Sequence, residues 1–239
     1  MKNLLKYLVI IPTYNEADNI AKLLQQILQL PNNFEILIID DNSSDGTGNI
    51  VKALAKKNDR ISIIERPSKL GYATAVIEGF KYGINNSFNA VIQMDADFSH
   101  NPSYLLEFVK QSKQHQVVIG SRYIKGGGVI NWPLKRKLLS YCANKYVRLM
   151  TGIGICDATS GYRCIRREVL EDIDFNLIKS QGYAFLIENS FLFWKNKYRI
   201  KEIPITFVER VKGFSKISKK IIIEAFFIVL RLAGKRFRK

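Results

Sequence analysis

The feature that most limits the fold is an alternation that fills the first half of the chain. Short apolar runs of strand length, Leu8–Ile11, Ile36–Ile39, Ile61–Ile64, Ala90–Ile92 and Val117–Ile119, are separated by stretches of helical character. The clearest of these sets Ile20, Leu23, Leu24, Ile27 and Leu28 at i, i+3, i+4, i+7, i+8 spacing, one face of a helix that Pro31 closes. Turn chemistry from Asn42 to Thr47 leads into a second helix through Lys57, a third spans Gly71 to Asn86, and Asn101-Pro102 caps a fourth that runs to about Gln114. Strands alternating with helices predict an α/β chain, a mostly parallel sheet with helices on both faces. At 239 residues the chain suits one such domain.

In a parallel sheet the carboxyl ends of the strands share one edge, and ligands bind there. Those ends are polar in this chain: Pro12-Thr13-Tyr14-Asn15-Glu16, Asp40-Asp41, and Gln93-Met94-Asp95-Ala96-Asp97. Asp95 and Asp97, spaced i, i+2 at a strand end, repel one another, and a divalent cation relieves that repulsion best. An ordinary turn with two solvated aspartates is the other reading, and these residues alone leave both open. No G-x-G-x-x-G follows a strand and no G-x-x-x-x-G-K-[ST] is present. A nucleotide would have to be held without the common phosphate loops, with a metal and arginines as the substitute.

After Arg122 the pattern loosens. Gly126-Gly127-Gly128 is a flexible loop, Lys135 to Met150 a helix, and Asp157 to Arg163 a polar loop in which those two residues are expected to pair. Gly182 to Lys197 is an aromatic-rich helix whose Tyr183 and Phe185 are expected in the core. Ile200 to Val208 is a strand that Pro204 consigns to an edge, and Glu209 to Lys216 is a basic loop. Cys142, Cys156 and Cys164 show no C-x-x-C spacing; buried, reduced thiols are expected.

The net charge is +16, and nine Lys or Arg stand against Glu224 in the last 28 residues. On a helical wheel Lys220, Glu224, Arg231, Lys235 and Arg238 form a narrow stripe, and apolar residues from Ile221 to Leu230 fill the rest. The segment is too short to span a bilayer, and no signal peptide opens the chain. A helix lying in the lipid headgroup region is expected, with packing on the chain's own α/β domain or on a partner as the alternative. Nucleic acid is disfavoured, because carboxylate-lined strand ends would repel its backbone.

Six further stretches bear on identity: Lys69 to Ala75, Gly120 to Tyr123, Trp132 to Asn144, Asp157 to Arg163, Gly182 to Phe185, and Glu209 to Lys216. With the three strand-end motifs, in this order, the chain from about residue 7 to 216 resembles glycosyltransferase family 2, in its dolichol-phosphate mannosyltransferase branch. The resemblance implies a GT-A fold over residues 1–216, followed by the basic amphipathic helix of 217–239. It implies inverting transfer of mannose from GDP-mannose to a polyprenyl phosphate, with Mg²⁺ or Mn²⁺. A UDP-sugar donor is the alternative, and a nucleic-acid-binding protein a remote one. Pro12, Tyr14, Glu16, Ile39 and Asp41 would line the nucleoside pocket, with Asp95, Ala96, Asp97, Arg122, Arg210 and Lys216 around the rest of the donor. Asp95 and Asp97 would flank the metal, and Arg122, Arg136 and Ser140 would hold the acceptor phosphate. Asp97, Arg122, Arg136 and Arg210 are the catalytic candidates. Many members place Gln where this chain has Ser99, a shorter metal ligand, and His100 beside it is a candidate extra ligand. The resemblance places the enzyme peripherally on the cytoplasmic face of a membrane, with room for a membrane-protein partner.

Overall fold

The computed structural model describes residues 5–175, 178, 180, 182–209 and 219–236. A seven-stranded sheet organises them. Its parallel half contains β1 (Tyr7–Thr13), β2 (Phe34–Asp40), β3 (Ile61–Glu65) and β4 (Ala90–Gln93). β5 (Val117–Ser121), β7 (Arg163–Arg166) and β8 (Ile200–Pro204) complete it in the order β3-β2-β1-β4-β7-β5-β8. A separate parallel ladder joins β6 (Gly128–Ile130) to β9 (Thr206–Val208).

Strand periodicity sorts the core. Leu8, Ile10, Leu37, Ile39, Val91 and Ile165 pack on one face of the sheet, and Val9, Ile11, Ile36, Ile38, Ile92 and Cys164 on the other. The second face is covered by α1 (Ala17–Leu28), α2 (Thr47–Ala55) and α4 (Leu105–Ser112) through Ile20, Leu23, Leu24, Ile27, Val51, Leu105 and Phe108. The first is covered by α3 (Tyr72–Asn85), α5 (Leu134–Thr151), α6 (Arg167–Asp172), α7 (Gly182–Lys195) and α8 (Lys219–Lys235). The expected α/β sheet with helices on both faces is present.

Several details depart from the sequence reading, Gly128 among them, since it opens β6 and does not belong to a glycine loop. Asp157 to Arg163 is not loop throughout, since Arg163 opens β7, which runs antiparallel between β4 and β5. The Asn101 cap is as expected, its side chain accepting from Ser103 N at 2.9 Å, but the first turn is a 3₁₀ helix, Pro102–Tyr104. Ile200 to Val208 is two strands; β8 takes the sheet edge that Pro204 demands, and after Ile205 the chain leaves for the smaller ladder. Cys142 is exposed and Cys156 half-buried, so burial holds for Cys164 alone among these three unpaired thiols. The C-terminal helix packs on α5 and α7, burying Val229 and Leu232 and stacking Phe226 on Tyr146 at 5.5 Å. Among the described residues no helix is long and apolar enough to cross a membrane.

Candidate active site

Because β1, β2, β4 and β5 run the same way and β7 the opposite, one edge gathers the carboxyl ends of four strands and the loop that enters the fifth. A cleft of about 340 Å³ opens there. Following the strand order β2-β1-β4-β7-β5, its lining passes from Asp41, Pro12, Tyr14 and Glu16 through Asp95, Ala96, Asp97 and Ser99 to Arg122, with Arg136 and Glu209 in the same lining.

The end formed by the β1 and β2 loops is built by carboxylates that fold those loops. Buried Asp40 accepts from Thr13 Oγ1 at 2.8 Å and from Ser43 N and Oγ. Asp41 Oδ1 takes Arg66 Nη1 and Leu70 N, and Oδ2 takes Gly71 N, all at 2.9 Å. Asp41 thus ties the β3–α3 loop down, and that loop sets Lys69 Nζ 3.5 Å from the centre of the Tyr14 ring. Asp45 accepts from Thr47 and from Ala17 N; slight burial opposes its ionisation, but these hydrogen bonds prevail and hold the carboxyl below its ordinary range. Asn15 and Asn42, with φ of 59° and 60°, turn these loops through the left-handed region, which asparagine tolerates. Ile39 does not belong here: its side chain is fully buried in the core and absent from the cleft, because β2 alternation points it at α3.

At the centre, Asp95 and Asp97 line the same stretch of cleft. Phe98, with φ of 61°, makes a tight turn that lets Asp97 Oδ1 accept from Ser99 N at 3.0 Å. Ser99 Oγ is buried and has no hydrogen-bond partner among the described residues. A buried orphan hydroxyl beside two carboxylates suits a hard cation, which accepts oxygen ligands of both kinds. Among the described residues no three His, Cys, Asp or Glu converge, so the chain supplies an incomplete ligand set of the sort that phosphate oxygens finish. His100 is not a free ligand. Its Nδ1 accepts from Asp95 N at 3.0 Å, which leaves the proton on Nε2, and its ring stacks on Tyr162 at 4.7 Å. Burial lowers its pKa despite the nearby carboxylates.

The third group is cationic, and the arginines that line the cleft, Arg122 and Arg136, each have a carboxylate. Arg122 Nε and Nη2 donate to Asp157 at 2.7 Å each, and the Arg122 backbone N–H donates to the same carboxylate at 3.0 Å. Burial disfavours the Arg122 charge, yet Asp157 more than reverses this and the guanidinium pKa rises. Asp157 therefore pairs with Arg122 and not with Arg163. Arg163 is fully buried without a carboxylate and donates to the carbonyls of Ala158, Ser160 and Leu186 and to Ser190 Oγ; burial brings its pKa down to about 10. Arg136, in the first turn of α5, pairs with Glu209 and lies 4.2 Å over the Trp132 ring. Ser140, one turn further on, is not in the cleft lining; its hydroxyl accepts from Tyr123 Oη at 2.7 Å. Arg210 and Lys216 lie outside the described residues.

Lys69, Tyr72, Thr159 and Glu209 fall within stretches that the sequence singled out but to which it gave no role in the cleft, and the sequence placed Tyr183 in the core although it is 36% exposed and lines the cleft. Phe185 is in the core as expected. Lys69 was within reach of the strand-end argument, since it follows β3 on the same edge. Tyr72 donates to Asp95 Oδ1 at 3.5 Å and accepts from Gln93 Nε2 at 2.5 Å, and Gly161 leaves it room: an added Cβ there would lie 2.7 Å from Tyr72 Oη.

A Rossmann-like sheet whose edge sets acidic residues opposite arginines defines a nucleotide-sugar transferase of the GT-A type, and the chain belongs to glycosyl transferase family 2, whose profile matches residues 8–174. It is 43% identical over 226 residues to the polyprenol monophosphomannose synthase of Mycolicibacterium smegmatis, spanning 93% of this chain and 84% of that one. It is 37% identical over 227 residues to the undecaprenyl-phosphate mannosyltransferase of Micrococcus luteus, spanning 95% and 93%. The fold is similar to glucosyl-3-phosphoglycerate synthase from Mycobacterium tuberculosis, solved with Mn²⁺, UDP-glucose and phosphoglyceric acid (TM-score 0.70, 14% identity, 96% of this chain and 80% of that one). It is likewise similar to mannosyl-3-phosphoglycerate synthase from Rubrobacter xylanophilus (TM-score 0.68, 16% identity, 98% and 74%).

Proposed function

We propose that this chain transfers mannose from GDP-mannose to a polyprenyl phosphate, with inversion at the anomeric carbon, peripherally at the cytoplasmic face of a membrane. The observation that carries the reading is the order of groups along one cleft: nucleoside loops, then Asp95, Asp97 and the orphan Ser99 Oγ, then Arg122 and Arg136. The named activities of the two curated relatives support the mannose and the polyprenyl phosphate.

A phosphomonoester is mostly anionic at neutral pH, so the nucleophile needs no proton removed. This fits a cleft whose histidine is buried and turned to the backbone. Tyr14, Glu16 and Asp41 border the nucleoside, and Lys69 covers that end from the β3–α3 loop. Asp95 and Asp97, with Ser99 Oγ, would hold a divalent cation, Mg²⁺ or Mn²⁺, which offsets charge on the departing diphosphate. Arg136, and Arg122 through any donor that Asp157 leaves over, align the acceptor oxygen for a single in-line displacement. Arg210 and Lys216 are assigned to the diphosphate on the resemblance alone.

Exposed side chains on α5 and α8 support a membrane-surface setting. Leu134, Leu138, Leu139, Tyr141 and Leu149 on the first, and Phe226, Phe227 and Leu230 on the second, are exposed on two helices packed together. Arginine and lysine lie among them, the pairing that anionic lipid favours. An assay with GDP-mannose or UDP-glucose and a short polyprenyl phosphate, with products identified by mass and anomeric configuration by NMR, tests the chemistry. Mannosyl phosphate of inverted configuration, lost on chelation, is expected. Turnover with the UDP-sugar in place of GDP-mannose, retention, or full activity in chelator would overturn the corresponding part.

A further inference from the structure

Among the described residues, the two arginines that line the cleft are neutralised in different ways. Arg122 is locked: Asp157 is fully buried, binds its fork with two bonds of 2.7 Å, and also holds its backbone. Removing that carboxylate would strand a buried charge, so no ligand displaces it. Arg136 is held loosely. Its side chain and that of Glu209 are 20% and 22% exposed, and the pair uses one nitrogen and one oxygen.

What fixes Arg136 is not Glu209. The guanidinium lies over Trp132 at 4.2 Å and sits in the first turn of an 18-residue helix, where free N–H groups favour an anion. Its Nε is buried with no hydrogen-bond partner among the described residues, so a donor is left over. Glu209 is anchored by its main chain, its N–H donating to Ile130 O at 3.1 Å at the end of the β6–β9 ladder. Its side chain can therefore swing away without disturbing backbone.

We propose that Glu209 is a specificity-determining residue, an exchangeable counter-ion of Arg136 that a phosphate monoester displaces and a phosphodiester does not. The inference rests on the reading of Arg136 as an acceptor-phosphate residue. The physical reason is charge exchange. A phosphodiester carries one negative charge, so trading Glu209 for it gains nothing. A monoester carries about 1.5 to 2 charges at neutral pH and wins the exchange. At a lipid surface, where diester headgroups far outnumber any polyprenyl phosphate, an uncompensated Arg136 would be occupied by the wrong lipid. This is discrimination by an internal competitor, with Glu209 acting on the acceptor through Arg136.

The test measures acceptor KM and kcat for the full chain, with saturating donor, in phosphatidylcholine vesicles with and without phosphatidylglycerol. Glu209→Gln is expected to lower acceptor KM about threefold in phosphatidylcholine, the scale of a part-exposed ion pair, with kcat little changed. Phosphatidylglycerol is then expected to raise the KM of E209Q severalfold more than that of the unsubstituted chain. Glu209→Asp, which keeps the charge, is expected to restore resistance to phosphatidylglycerol. Glu107→Gln on α4 makes the same change in net charge away from the cleft and is expected to do neither. If E209Q raises acceptor KM, or leaves the response to phosphatidylglycerol unaltered, while Arg136→Gln raises acceptor KM, the inference alone fails. If R136Q leaves acceptor KM unchanged, both the inference and the acceptor reading of Arg136 fail.

Discussion

Asp157 touches no cleft surface, yet a cleft arginine depends on it. It is fully buried, it accepts from Arg122 and Thr159, and its own backbone N–H donates to Glu202 Oε1 at 2.9 Å. Asp157→Asn would leave a buried guanidinium facing a neutral amide, a loss of about 3 to 5 kcal/mol that urea unfolding would register. The sign of its pH dependence follows from its pKa. Burial alone would raise it, but the Arg122 charge and hydrogen bonds outweigh burial and hold the folded value below the ordinary one. A depressed folded pKa gives stabilisation that is complete above the ordinary aspartate value of about 3.9 and is lost as pH falls through the folded value. The stability gap between the unsubstituted chain and D157N should therefore be flat near neutrality and shrink only below about pH 4. None of this was legible in the sequence. Arg163 is nearer to Asp157 in the chain than Arg122 is, and only the fold shows that carbonyls of Ala158, Ser160 and Leu186 have claimed it. Ser99 differs: its departure from the Gln of many relatives was visible at once, but that its hydroxyl is buried and without a partner among the described residues was not.

The elements that sequence located well are those whose apolar spacing has a single structural period. The first five strands and the helices between them were legible because their buried residues alternate by two or recur at three to four. β7 was missed because Arg163-Cys164-Ile165-Arg166 begins and ends on arginine and offers too short a run. Its first arginine is nonetheless fully buried, satisfied by backbone oxygens, a possibility that hydropathy has no means to register. α3 was located without its closest constraint. Gly79 and Gly83 let it lie on β1 and β4: an added Cβ would come 2.9 Å from Ile10 Cδ1 at the first and run into Val91 Cγ2 at the second. Gly83→Ala gains about 1 kcal/mol of helix propensity but overpacks against a strand in mid-sheet, at a cost of about 1 to 3 kcal/mol. A net loss of stability in thermal unfolding is expected, with reduced activity, because α3 carries Tyr72 beside Asp95.

At the scale of the whole molecule, α8 has two unlike faces. One face closes the core with Val229 and Leu232 against α5 and α7, and the opposite one leaves Phe227 at 63% and Leu230 at 39% exposed. The sequence posed membrane contact and domain packing as alternatives, and α8's charged stripe could not show that a second helix would stand beside it. On the reading that these side chains enter lipid, Phe227→Ser with Leu230→Ser should weaken partitioning to anionic vesicles by at least about tenfold, since two apolar side chains are lost, each contributing about 1.5 to 3 kcal/mol when fully buried, and about 1.4 kcal/mol is a factor of ten. Flotation measures it, and unchanged partitioning would exclude this face as the anchor. Turnover with a short, water-soluble acceptor should persist, because neither residue reaches the cleft.

The position of β7 has a consequence for how the molecule is born. β1 to β4 are mutual neighbours and can assemble as soon as residue 93 has left the ribosome, completing the Asp40 and Asp41 loops. β5, made next, finds no vacancy beside them; its slot exists only once residues 163–166 have been threaded in between. The half that carries the Asp40 and Asp41 loops can thus mature early, while the half that carries Arg122 waits some forty residues for the strand that joins them. On the proposed reading, a nascent chain shapes the loops meant for the nucleoside before the arginine meant for the acceptor has its place.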